Sequence, residues 1–446
     1  MTKAAERACA AYGDLPEGWT RRRLRFDVSL NPKKSKLDMQ PEEVVSFVSM
    51  DAVGEYGGLK LEEVRELAEV YDGYTYFADG DLCIAKITPC FENGKGALAE
   101  GLANGVGFGT TELHVVRPRP TIDRRFLFYT SIADDFRKIG ESEMYGAGGQ
   151  KRIDESFIKD WMPPLPPLET QRRIARFLDE KTARIDGLIE KKRALLDRLA
   201  EKRQALITRA VTKGLDPTAP MQPSGIDWLG EIPAHWNVRR IKHSVSHVAD
   251  CIHTTPVYDG KPIYPAIRTA DVTRGRLLLD QVRLVSEEVY LERIQRLKPI
   301  SNDILYSREG ERFGMAALVP HGVHLCLGQR MMMFRAQKEV APAYLMWALN
   351  SEVIFQQVLL SVGGSTSPHV NIRDVINFFV PQPPEDEQRS ISEYISEECE
   401  NIDNSIDLVG RSILLLQEYR SALTTTAVTG KLRLEDTVEL PELEEV

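Results

Sequence analysis

The chain is poor in cysteine, and its six thiols (Cys9, Cys83, Cys90, Cys251, Cys326, Cys399) include no Cys-x-x-Cys pair. Scattered thiols without a paired motif suit a reducing cytoplasm better than a disulfide framework, and no paired-cysteine pattern supports a zinc site. No apolar run approaches the ~20 residues that span a bilayer, and the opening stretch MTKAAERACAAYGD lacks the apolar centre of a signal peptide. No membrane role is expected. No G-x-x-x-x-G-K-[ST] stretch occurs, so there is no P-loop phosphate cradle, and no Asx-Pro-Pro-aromatic tetrapeptide marks an amino-methyltransferase site. GVGFG (Gly105–Gly109) has no accompanying βαβ pattern and reads as a plain turn. His243, His247, Cys251 and His253 read as surface or core residues rather than as a metal site. Positive charge is also short overall, the net charge being −9. That argues against a uniformly basic nucleic-acid binder but leaves room for a basic face.

What the sequence does have is a repeat. PPLETQRRIARFLDEK (Pro166–Lys181) returns as PPEDEQRSISEYISEE (Pro383–Glu398), with Gln171 falling on Gln388 at an offset of 217. The same offset places Ile185-Asp186 on Ile402-Asp403, Ala210-Val211-Thr212 on Ala427-Val428-Thr429, and Trp19 on Trp236. A unit of more than two hundred residues is a duplicated half-protein and not a solenoid.

Each half has two parts. Short β-rich runs such as VVSFVSM, LHVVRP and MMMFRA alternate with turns and a few helical stretches over roughly 15–162 and 232–379, predicting two compact α+β globules. Residues 168–213 and 385–430 are predicted helical: a proline pair precedes an acidic first turn, and glycine follows the far end. The division drawn from this is 1–162, 163–217, 218–379, 380–432 and an acidic tail at 433–446.

The helices carry heptads. Leu178, Ile185, Lys192, Leu199 and Leu206 recur every seven residues, with Ile174, Leu188 and Leu195 on the companion position. Ile395, Ile402, Val409, Leu416 and Leu423 do the same in the second helix, widened by Ile406 and Ile413. A period near 3.5 keeps one stripe facing a partner, so a coiled-coil seam is predicted ahead of a helix lying on a globule. The first helix is basic (Arg172, Arg173, Lys191, Lys192, Arg198, Lys202) and the second starts acidic (Glu393, Glu397, Glu398, Asp403), which favours pairing within the chain, and a two-fold arrangement of the duplicated halves would set the helices antiparallel.

These features resemble the specificity subunit of type I restriction-modification systems. The likeness rests on PLPPLETQRRIARFLDEK with ITRAVTKGL, and on PQPPEDEQRSISEYISEE with TTTAVTGKL, and it covers roughly residues 15–432. GAGGQKRID (Gly146–Asp154) and VGGSTSPHVN (Val362–Asn371) also resemble the family pattern, although the second is two residues longer between its glycine and proline pairs. The resemblance implies an α+β chain of two similar target-recognition domains, 1–162 and 218–379, separated by two long helices forming an antiparallel intramolecular coiled coil. It implies a non-catalytic subunit that binds a split, asymmetric target in double-stranded DNA. Two methyltransferase subunits and restriction subunits would be its partners. S-adenosylmethionine, and ATP with magnesium, would be bound by those partners and not by this chain.

The residues permit DNA binding. Arg21, Arg22, Lys33, Lys34, Lys86, Lys95 and Lys151 in the first half, and Arg268, Arg274, Arg308 and Arg312 in the second, are candidates for phosphate contacts. Gln150, Arg152, Ser365, Thr366, Ser367, His369 and Asn371 have side chains suited to base edges on glycine-flanked loops. For any single one of them the plainer reading is an exposed turn residue. The net negative charge supports a second reading, a coiled-coil scaffold with two protein-binding domains and no DNA role.

Overall fold

Alternate residues of strand Leu82–Ala85 feed different cores. Leu82 and Ile84, with Val116 of strand Leu113–Pro118, pack against Phe126, Phe136 and Trp161. Cys83 and Ala85, with Leu113 and Val115, pack around Val48 and Phe77. A two-residue period sends side chains to both faces, so a continuous apolar run here means a sheet covered on both sides. MMMFRA behaves in the same way: Met332 and Phe334 join one core, Met331 and Met333 another.

The computed structural model describes residues 14–147, 149–258, 261–310, 312–362 and 370–432. They divide into two compact units, 1–192 with 411–446, and 193–410. The first contains an antiparallel sheet ordered Val28–Leu30, Leu113–Pro118, Leu82–Ala85, Gly96–Leu98. A second sheet is ordered Val64–Glu66, Val44–Val48, Val106–Gly109, Thr75–Ala78, with a parallel central pair. The second unit repeats the first sheet as Val245–Asp250, Met331–Ala336, Ile304–Ser307, Ala316–Leu318. Its other sheet has three strands, Leu284–Val285, Tyr264–Ile267 and Cys326–Leu327, and keeps the parallel pair.

GVGFG is not a turn. Val106–Gly109 is a buried strand, and a Cβ at Gly107 would lie 2.3 Å from the Phe77 ring. Its glycines admit a close neighbour rather than a phosphate.

The long helices run Leu168–Lys213 and Glu385–Val428. Each unit takes half of each helix into its core. Ile174, Leu178, Ile185 and Ile189 join Leu423, Ala427 and Val428 beneath Phe126 and Trp161 in the first unit. Ile207, Ala210 and Val211 join Ile391, Ile395 and Cys399 in the second. The packing units therefore part within the helices, whereas the sequence division parted helix from globule. Within the second unit the two segments are antiparallel: Arg203 pairs with Asp403, and further along Gly214 lies against Glu387.

The repeat residues have matching jobs. The Gln171 side chain accepts from the Asp123 amide at 2.8 Å and donates to the Pro166 carbonyl at 2.9 Å. Gln388 accepts from the Ala341 amide and donates to the Pro383 carbonyl, both at 2.9 Å. Each buried glutamine ties the start of a long helix to the globule before it.

The seam needs one correction. Leu178, Ile185, Ile395, Ile402 and Leu423 are buried, and Leu188, Leu199, Leu206, Val409 and Leu416 are partly so, but Leu195 is 42% exposed. In the first helix the companion position is Thr182, Ile189, Leu196, Arg203 and Ala210, one residue beyond Leu188 and Leu195. Two of these five are polar and have specific partners: Thr182 meets the Tyr129 hydroxyl at 3.2 Å, and Arg203 meets Asp403. Counting apolar residues favoured the wrong column for that reason.

Candidate nucleic-acid interface

A three-way backbone junction recurs in both units. In the first, the Lys86 amide donates to the Glu112 carbonyl and the Ile153 amide to the Lys86 carbonyl, both at 2.9 Å. In the second, the Arg308 amide donates to the Arg330 carbonyl and the Val370 amide to the Arg308 carbonyl, both at 3.1 Å. Lys86 and Arg308 each follow the last residue of the equivalent strand, Ala85 and Ser307. The backbone frame is shared; the side chains on it are not.

Around the first junction, Glu112 accepts from Arg152 Nε and Nη2, both at 2.9 Å. That hydrogen-bonded pair holds the Glu112 carboxyl below its usual range, with the Lys86 charge adding to the effect. His114 is 6% exposed, and its Nε2 lies 2.9 Å from the Ile153 carbonyl. That carbonyl can only accept, so Nε2 carries the hydrogen. Burial lowers the His114 pKa and keeps the ring neutral. Beside the junction runs a groove of about 560 Å³ lined by Asn31, Lys33, Lys34, Lys86, Tyr71, Tyr74, Tyr76 and His114. The Lys34 ammonium sits 4.3 Å from the Tyr71 ring centroid and contacts the Tyr71 carbonyl. Lysines interleaved with tyrosines supply both phosphate neutralisation and flat apolar surface for sugars and bases.

Around the second junction, Arg308 is 3% exposed and ion-paired with Asp250 at 2.9 Å. It is removed from the set of surface contacts, because its charge is consumed inside the globule. Asp250 also meets His253 at 2.9 Å, and Arg330 meets Glu309 at 2.9 Å.

The other candidates lie as follows. Arg21 is half-buried on the short strand Thr20–Arg21, which pairs with Pro164–Leu165. Arg22 is committed to the fully buried Asp27 carboxylate. Lys95 donates to the Met50 carbonyl at 3.1 Å. Lys33, Gln150 and Lys151 are exposed. Arg268 is forked onto Asp271 at 2.9 and 2.7 Å. The Arg274 guanidinium lies 5.6 Å from the Phe355 ring, and burial lowers its pKa. Arg312 donates to the Ala270 carbonyl at 2.6 Å. Asn371 donates to Asp374 at 3.1 Å, ahead of the short helix Ile372–Val375. Ser365, Thr366, Ser367 and His369 lie outside the described residues. Glu112, His114 and the three tyrosines were missed; the run YDGYTY near basic residues was the available signal for the last.

Comparison with known proteins agrees with this architecture. Residues 16–198 match the family described as Type I restriction modification DNA specificity domain. Over 163 residues the chain is 44% identical to the type I restriction enzyme EcoAI specificity subunit of Escherichia coli, an alignment covering 36% of this chain and 27% of that one. The EcoEI specificity subunit of the same organism is 42% identical over the same shares, so the match spans about a quarter of these relatives. The MjaVIII specificity subunit of Methanocaldococcus jannaschii is 22% identical over 73% of this chain and 74% of its own. A solved chain from work on complex assembly and conformational transition of the type I R-M system superposes with TM-score 0.69 at 18% identity, covering 94% of this chain and 100% of that one. The HsdS subunit of Thermoanaerobacter tengcongensis gives 0.50 at 17% identity, covering 94% and 98%. The two solved chains share the fold. Residues 16–198 are therefore a type I restriction-modification DNA specificity domain. No described helix is long and apolar enough to cross a membrane.

Proposed function

We propose that this chain reads a bipartite, asymmetric target in double-stranded DNA, one globule to each half-site, for a type I restriction-modification complex. The observation that carries the reading is the repeated junction with unlike side chains: Lys86 and Glu112, with Arg152 beside them, on one frame, and Arg308 and Arg330, with Glu309 beside them, on the other. A shared scaffold with different surfaces is what two dissimilar half-sites require. The helices then set the separation of the half-sites. The chain does no chemistry itself. Two methyltransferase subunits carrying S-adenosylmethionine, and restriction subunits using ATP and magnesium, act where it places them. All of this takes place in the cytoplasm.

The test is an exchange of residues 15–162 for the corresponding globule of a relative, followed by methylome sequencing. Only one half of the methylated motif should change. An unaltered motif counts against the reading. The scaffold alternative predicts no salt-dependent binding of duplex DNA by the complex at all.

A further inference from the structure

Most forked arginine–carboxylate pairs in the two units solve a burial problem. Arg117–Asp81, Arg268–Asp271 and Arg335–Asp303 each neutralise a carboxylate at 2% side-chain exposure or less. Arg152–Glu112 does not belong to that class, since its side chains are 41% and 26% exposed. An ion pair that solvent reaches so freely adds little to stability. It does fix the guanidinium. Glu112 takes the Nε–Nη2 edge, and the outer edge, Nη1 with the second Nη2 hydrogen, makes no hydrogen bond among the described residues.

The backbone beneath is fixed as well. The Arg152 amide donates to the Tyr145 carbonyl at 2.9 Å, and the Arg152 carbonyl accepts from the Tyr145 amide at 3.1 Å, so the backbone is pinned on both sides of that residue. A second bridge ties Arg152 to Ile87, next to the junction. Tyr145, opposite Arg152, is 62% exposed, and Gln150 and Lys151, just before Arg152, are exposed. An arginine held at backbone and side chain loses little conformational entropy on binding. Two coplanar donors on a free edge match the O6 and N7 acceptors of guanine in the major groove.

We infer that Arg152 reads a guanine in the half-site taken by the first globule, and that Glu112 is its positioning residue. This rests on the DNA-reading role proposed above and names one base contact within it.

The experiment uses the complex with its methyltransferase subunits. The methylated motif is determined for the parent, Arg152→Gln, Arg152→Lys and Glu112→Gln, and binding is titrated against duplexes carrying 7-deazaguanine at each guanine of the motif in turn. One replacement in the first globule's half-site should weaken the parent by roughly 5- to 150-fold, the range of a good bidentate contact. The same replacement should cost Arg152→Gln nothing further. Both Arg152 variants should relax that one position, since lysine lacks the planar fork. Glu112→Gln should narrow the discrimination while the salt slope stays unchanged. A half-site without guanine, an unchanged motif in Arg152→Gln, or equal weakening on all sequences with a smaller salt slope would overturn the assignment and leave the DNA-reading role standing. A parent complex that methylates no defined motif would overturn both.

Discussion

Asp186 accepts two hydrogen bonds from Arg420, from Nε at 2.8 Å and Nη2 at 3.1 Å. Asp403 accepts from Arg203 Nε and Nη2 at 2.8 and 3.3 Å. The offset of 217 carries Asp186 onto Asp403 and Arg203 onto Arg420. Each unit thus contains the same pair with the repeats exchanged: aspartate from one half, arginine from the other. Both arginines occupy inward heptad positions otherwise held by small or apolar residues. A polar group at a seam position fixes register at some cost in stability.

Asp186→Ala should therefore destabilise the protein by about 1–2 kcal/mol, less than a fully buried pair because Asp186 is half-exposed. Arg420→Leu should hold or raise the melting temperature while permitting other pairings, seen as mixed oligomers by light scattering. A strictly monomeric Arg420→Leu variant would show that register is set elsewhere.

The two inward columns can be told apart by truncation. Ile189→Ala, at a buried position, should cost about 2–5 kcal/mol in urea unfolding. Leu195→Ala should stay within about 0.5 kcal/mol of the parent. The reverse order would restore Leu195 to the seam.

Gln171→Ala leaves the Asp123 amide and the Pro166 carbonyl without the glutamine, and Gln388→Ala does the same to Ala341 and Pro383. Each should cost about 1–3 kcal/mol, and the two losses should add because the sites lie in separate units. Chemical denaturation of the single and double variants reads this directly.

His114 gives a pH dependence of known sign. Burial lowers its pKa in the folded protein, while the unfolded chain takes up a proton near pH ~6.5. The unfolded state binds more protons in that interval, so the stability is full above pH ~6.5 and is lost as pH falls through the folded value. Comparing urea midpoints at pH 7.5 and 5.5, His114→Gln should show the shallower decline. Equal declines would mean that the ring is not neutral in the fold.

The sequence by itself determined the duplication, both long helices to within two residues of their ends, and the family resemblance. Those follow from periodicity and local helix-start chemistry, which need no knowledge of distant contacts. It could not decide which companion column faces inward, since Thr182 and Arg203 earn their places through Tyr129 and Asp403. Nor could it separate Arg308, at the second junction, from Arg152, beside the first. Burial against Asp250 removes one from the surface, and a partly buried glutamate orients the other. Charge and residue type are local properties, whereas the partner that consumes or orients a charge is chosen by the tertiary fold.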